Sequence, residues 1–143
     1  MRAVLDANVL APGFLGATST SARLIDLWRR RVYDLVVSEH LLAELARTYT
    51  DAYFRRRITL ERSRRVDRFL RRRALLTELT VTVQGVATQP KDDLVLSTGL
   101  SAGATYLATR DRQLLKLGAY EGLHIVPPGQ LLALLEQEKQ REP

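Results

Sequence analysis

The chain has 143 residues, 45% of them apolar, no cysteine, and a formal charge of +6 from 22 Lys+Arg against 16 Asp+Glu. That length suits one domain around a single core, predicted to span residues 1–143. With no cysteine and only His40 and His124, disulfide frameworks, thiolate zinc sites and histidine cages are excluded, so any metal must be held by oxygen.

Arg2 to Leu5 is a short apolar run that stops at Asp6, and Pro12 with Gly13 breaks any element continuing from it, so a buried strand ending in a loop is expected. Ser19 to Arg31 spaces Ala22, Leu24, Ile25 and Trp28 near helical intervals, with Arg29, Arg30 and Arg31 in the last turn, where cations complement the macrodipole. Asp34 to Val37 reads as a second buried strand. Ser38 is placed to cap the next helix, whose core face is Leu41, Leu42, Leu45 and Tyr49. A further helix over Thr59 to Arg73 turns Leu60, Val66, Phe69 and Leu70 inward.

Leu79, Val81 and Val83 alternate with threonines and predict a third strand, and Gly85 with Gln89-Pro90 marks the loop beyond it. Asp92 to Ala102 reads as a helix stopped by Gly103. Tyr106 to Ala108 and His124 to Val126 supply two more strands. A last helix runs from about Gly129 to Glu138, and residues 139–143 are expected to form a frayed tail.

Strands alternating with helices predict an α/β fold with a mostly parallel sheet, and short apolar strands without alternation suit burial on both faces. In such sheets, sites form at the carboxyl ends of the strands. No apolar stretch approaches the roughly 18–20 residues of a membrane span, and the N-terminus lacks the long apolar region of a signal peptide, so a cytoplasmic location is expected.

The charge is unevenly placed. Arg47 to Arg73, 27 residues, holds 11 Arg against Asp51, Glu61 and Asp67, a local excess of +8, while the rest of the chain carries 11 basic and 13 acidic residues, or −2. A compact basic stretch beside an acidic remainder suggests a surface that meets a polyanion. Arg55, Arg56, Arg57, Arg64, Arg65 and Arg68 are its candidate phosphate contacts, with Arg110 a further one. Solvated helix faces are the plainer reading of the same arginines.

Asp6 and Asp111 each stand after a short apolar strand, at the end where parallel sheets place their sites. Asp92 and Asp93 open a helix, and Glu44 lies near the edge of an apolar helical face. Taken singly, Asp6, Asp92 and Asp111 could each be a cap and Glu44 could be solvated. Together, several carboxylates with no His or Cys partner point to a hard cation such as Mg²⁺ or Mn²⁺ and to phosphodiester hydrolysis. No Gly-x-Ser-x-Gly elbow, phosphate-binding Gly-x-x-x-x-Gly-Lys-Ser/Thr loop or Gly-x-Gly-x-x-Gly is present. Two other classes stay open: a non-catalytic nucleic-acid-binding module, and a phospho-accepting α/β domain, against which the lack of a lysine at a strand end argues. His40, His124 and Trp28 read as structural.

Four segments carry a family resemblance: Val4-Leu5-Asp6-Ala7-Asn8-Val9-Leu10, Ser38-Glu39-His40-Leu41-Leu42-Ala43-Glu44-Leu45, Pro90-Lys91-Asp92-Asp93-Leu94-Val95-Leu96, and Tyr106-Leu107-Ala108-Thr109-Arg110-Asp111 through Leu115. In this order they resemble the PIN-domain ribonucleases, in particular the small VapC-type toxins of toxin-antitoxin pairs. The resemblance implies a three-layer, Rossmann-like PIN fold in which Asp6, Glu44, Asp92 and Asp111 form an acidic quartet. It further implies metal ligation by Asp6, Asp92, Asp93 and Asp111, with Asn8 and Thr109 as supporting polar residues. Mg²⁺- or Mn²⁺-dependent cleavage of RNA, a homodimer, and a cognate antitoxin whose tail blocks the acidic pocket are the accompanying expectations. Thr88-Gln89-Pro90-Lys91 departs from relatives that carry an acid before the proline.

Overall fold

The computed structural model describes residues 1–16 and 18–141. In chain order its elements are β1 (Arg2–Leu5), α1 (Ala7–Gly13), α2 (Thr20–Arg29), β2 (Asp34–Val37), α3 (Glu39–Thr48), α4 (Ala52–Arg55), α5 (Leu60–Arg73) and β3 (Leu75–Leu76). There follow α6 (Pro90–Ser101), β4 (Tyr106–Ala108), α7 (Arg112–Leu117), β5 (Ala119–Tyr120), β6 (Leu123–Val126) and α8 (Pro128–Arg141). The strands form one six-stranded sheet, β3-β2-β1-β4-β6-β5, parallel except for the β5–β6 pair.

The central strands are apolar on both faces because both faces are covered: Val4, Leu5, Leu35, Val36 and Leu107 are fully buried. Strand order reverses at β1, so right-handed crossovers put α6 on the face opposite α1 and α2. The α/β class and the parallel sheet are as the sequence predicts. Among the described residues, no helix is long and apolar enough to cross a membrane.

Several local expectations are corrected. The chain does not loop after β1 but enters α1 at once, with Pro12 inside the helix. Pro12 has no N–H to give to the Asn8 carbonyl one turn back, and that freed oxygen accepts instead from Arg110 Nη1 at 3.1 Å. Leu79 to Val83 is not a strand. Thr80 and Val81 N–H both donate to Ser101 Oγ at 3.0 Å and Val83 N–H to Ser97 Oγ at 3.1 Å, so hydroxyls of α6 take the place of a ladder. The third strand is the two-residue β3 instead. Leu60 is not inward but 58% exposed, as the first residue of α5. The last helix reaches Arg141 rather than stopping near Glu138, so Lys139 and Gln140 are helical; residues 142–143 of the expected tail lie outside the described residues. The short α4 and β5 carry too few residues for a periodic signal.

Gly99 marks the closest approach of α6 to the sheet. A Cβ there would stand 2.7 Å from Leu123 Cδ2 and 3.1 Å from Cδ1, and Leu123 is fully buried. Gly99→Ala should therefore lose about 1–3 kcal/mol of stability in urea unfolding, despite the better helix propensity of alanine.

Candidate active site

Three parallel strands end on the same side of the sheet, and each hands the chain to a polar residue there. Asp6 follows β1, Ser38 follows β2, and Thr109 to Asp111 follow β4. β1 lies where the strand order reverses, the point at which open α/β sheets leave a crevice.

Asp6 caps α1. Its Oδ1 accepts from Ala7 N–H at 2.9 Å and its Oδ2 from the Thr109 hydroxyl at 2.8 Å. Thr109 is fully buried and fully used: its Oγ accepts from Asp111 N–H at 3.0 Å and from the Asn8 amide at 3.5 Å. Asn8 Oδ1 in turn accepts from Arg110 N–H at 3.1 Å. The motif after β4 is thereby tied to the one after β1, which fixes Asp6 and Asp111 relative to each other. Asp111 Oδ1 caps α7 through Gln113 and Leu114 N–H at 2.8 and 3.4 Å.

Asp92 comes from the first turn of α6. The Ser38 hydroxyl, which accepts from Leu41 N–H as the α3 cap, lies 2.8 Å from Thr98 Oγ on α6 and so docks the two helices. Glu44 of α3 then shares one cleft of about 120 Å³ with Asp6, Asp92 and Asp111, along with Asn8, His40 and Lys91. All four acids of the quartet are brought together.

Their charges act on one another. Burial raises the Asp6 carboxyl above its ordinary range, with Asp111 adding to the shift and Thr109, Ala7 and Lys91 opposing it. Asp92 is pushed up to about 6, first by burial and then by Asp111 and Asp6, with Lys91 the opposing charge. Among the described residues, Asp92 is the one acid of the four whose carboxylate has no hydrogen-bond partner, since Glu44 is ion-paired with Arg47.

Among the described residues, no three His, Asp or Glu side chains are gathered in metal-holding geometry. Glu44 is paired with Arg47, and Asp111 caps α7. The donor set itself, carboxylate oxygens facing a cleft with one lysine to balance them, matches the chemistry of a hard divalent cation.

Asp93 does not join the quartet. Its carboxylate faces away and accepts from Gly85, Val86 and Ala87 N–H at 3.0, 3.2 and 2.7 Å, so it organises the loop before α6. Neighbouring residues on a helix point about 100° apart, which separates it from Asp92. The expected phosphate-binding arginines are also dispersed. Arg55, Arg64 and Arg68 line an apolar groove with Leu45, Tyr49 and Ile58. Arg57 lies over the Tyr53 ring at 3.6 Å, Arg56 is exposed, and Arg65 faces a separate hollow with Phe69. Arg110 is folded back onto the Asn8 carbonyl and, at 3.4 Å, Ser21 Oγ. Its guanidinium braces α1.

His40, assigned a structural role from sequence, belongs to the cleft, and its Nε2 donates to the Lys91 carbonyl at 3.1 Å. Its position one helical turn before Glu44 is the signal that points to it. Lys91 was equally legible, directly before Asp92.

Residues 2–113 match the PIN domain family, a span that ends two residues past Asp111. The chain belongs to the PIN-domain family. PIN domains are generally nucleases and usually use divalent metal ions, which gives this PIN domain a nuclease-type function. No curated protein and no solved structure matches the chain.

Proposed function

We propose that this PIN domain is a Mg²⁺- or Mn²⁺-dependent endoribonuclease and the toxin of a type II toxin-antitoxin pair, acting as a homodimer and held in check by a cognate antitoxin. The observation that carries the catalytic part is the crowding of Asp6, Asp92 and Asp111 in one cleft, with Lys91 as the opposing charge for Asp6 and Asp92. Carboxylates that share a cleft and oppose one another's ionisation favour a cation among them. RNA as the substrate rests on the motif resemblance and on the arginines, and the toxin role and the partners rest on the resemblance alone.

Asp6, Asp92 and Asp111 would hold the ion, and Glu44 would reach it on leaving Arg47. A bound divalent ion would lower the pKa of the attacking water and stabilise the leaving oxygen. The chain's own residues prepare for this. Thr109 orients Asp6, the Ser38–Thr98 contact holds α3 and α6 at a fixed separation, and Lys91 keeps positive charge beside Asp6 and Asp92.

Purified protein with Mg²⁺ or Mn²⁺ should cleave RNA, and Asp6→Asn should abolish cleavage while RNA binding in EDTA stays within about twofold, because the arginines are untouched. Equal loss of binding and cleavage would refute the assigned roles. Retained binding with no cleavage under either metal, in protein free of any antitoxin, would favour the non-catalytic binding module. Growth arrest on expression, relieved by the product of a neighbouring reading frame, tests the toxin role.

A further inference from the structure

At the opposite end of the sheet from the acidic cleft, α2 and α5 build a second feature. Trp28 and Phe69 pack edge to face, 5.5 Å between centroids. The guanidinium of Arg29 lies 5.3 Å and that of Arg73 5.9 Å from the Phe69 ring centre. Phe69 and Arg29 are shared by two adjoining hollows of about 320 and 450 Å³. The first also holds Arg31, Asp34 and Arg73, and the second holds Phe14, Arg62 and Arg65. Five arginines thus line the two hollows that share this partly exposed ring, Arg29 and Arg73 with their guanidiniums beside it, and Asp34 is the single acid on either lining. Among the described residues, Arg29, Arg31, Arg65 and Arg73 form no ion pair, although Arg23, Arg30, Arg47 and Arg71 all do. Asp34 begins β2, so the first hollow stands about one strand length, roughly 13 Å, from the end of β2 that faces the acidic cleft.

A backbone observation points to the same place independently. α2 ends with Arg31 N–H donating to the Trp28 carbonyl at 2.8 Å and Val32 N–H to the Leu27 carbonyl at 3.0 Å, a closing motif whose left-handed residue is ordinarily glycine. Here that residue is Arg31, at φ 64°. α6 closes with the same pair of bonds, from Gly103 and Ala104, and uses Gly103 at φ 64°. The chain thus places a long cation where the backbone favours glycine, and the cation lines the basic hollow. Among the described residues, two that are not glycine hold a positive φ, Arg31 and Glu121 at φ 50°, and of the two only Arg31 lines this hollow.

We propose that this surface is a second binding site for single-stranded RNA, remote from the acidic cleft. Guanidinium planes offer bidentate contacts to phosphate, and they stack on bases as does an aromatic ring. A site so placed would hold RNA whose scissile bond lies in the cleft, raising affinity for longer strands. The proposal takes the polyanion's identity from the ribonuclease reading, and its test runs with metal chelated so that the two can fail separately.

A fluorescein-labelled ten-nucleotide oligouridylate, titrated in EDTA, serves as the probe. Arg29→Gln/Arg73→Gln, which keeps the side-chain stems, should weaken binding about tenfold or more and flatten the salt dependence by about 0.7 in log–log slope per phosphate no longer neutralised. Arg31→Gly should weaken binding while raising the melting temperature, a combination that a purely structural role would not produce. With Mg²⁺ the double variant should cleave a long RNA with raised KM and unchanged kcat. Unaltered oligouridylate affinity in both variants would overturn the proposal. So would displacement by polyglutamate at equal charge, which would mark a surface for an acidic protein.

Discussion

Asp92→Asn should yield a protein that is inactive and, at neutral pH, more stable than the parent. The Asp92 carboxyl is held at about 6 in the fold against an ordinary 3.8, by burial and by the charges of Asp111 and Asp6. Between those two values the folded state binds the proton more tightly than the unfolded chain, so stability falls as pH rises from about 4 to about 6 and stays lower above. Asp6, raised in the same direction, adds to the trend. Asparagine removes the cost of ionising there. Water in the open cleft screens part of the repulsion, so the gain at pH 7 is about 1–2 kcal/mol, a few degrees in melting temperature.

The difference between the two proteins should shrink steadily as pH is lowered and vanish near pH 4, where the parent carboxyl is also neutral. Mg²⁺ or Mn²⁺ should raise the melting temperature of the parent in proportion to the logarithm of its concentration and leave Asp92→Asn nearly unmoved. Thermal scans at pH 4 and pH 7, with and without metal, check both statements. A variant less stable than the parent at pH 7 would show that Asp92 is a structural acid rather than one reserved for a ligand.

Thr109→Val should damage both stability and activity although every acid of the cleft is kept. It conserves shape but deletes the hydroxyl that donates to Asp6 and accepts from Asp111 N–H and Asn8. One charge-assisted bond is lost and a half-buried N–H is left without its partner, so stability should drop by about 2 kcal/mol in urea unfolding. Asp6 also loses one of the interactions that oppose its upward shift. The acidic limb of the cleavage profile should therefore move to higher pH, and metal affinity should fall about 10–100-fold. Thr109→Ser keeps the hydroxyl and should restore both. Loss of stability without a displaced pH profile would confine Thr109 to a packing role.

Much of the fold is legible in short stretches of sequence. The β1 run stops at Asp6 and the β4 run is followed within three residues by Asp111, Ser38 and Thr59 cap the helices that begin after them, and Gly103 closes α6, because each signal is complete within a few residues. Where a second part of the chain had to act, local reading failed. The alternation of Leu79, Val81 and Val83 is a strand pattern, yet Ser97 and Ser101 captured its N–H groups. Arg110 has the sequence position of a phosphate contact, but Pro12 frees the carbonyl that it binds instead.

The chain alone therefore determined the α/β class, the parallel order of burial and the presence of acids at strand ends, since hydrophobic period and capping chemistry are short-range properties. The tertiary structure decided which acids share the cleft. Asp92 and Asp93 are adjacent and chemically identical, but the helix turns them apart, and the loop N–H groups of Gly85 to Ala87 satisfy only Asp93. The same holds for the arginines. Eleven lie between Arg47 and Arg73, but it is the meeting of α5 with the end of α2 that brings the guanidiniums of Arg29 and Arg73 to Phe69, because charge acts through space and not along the sequence.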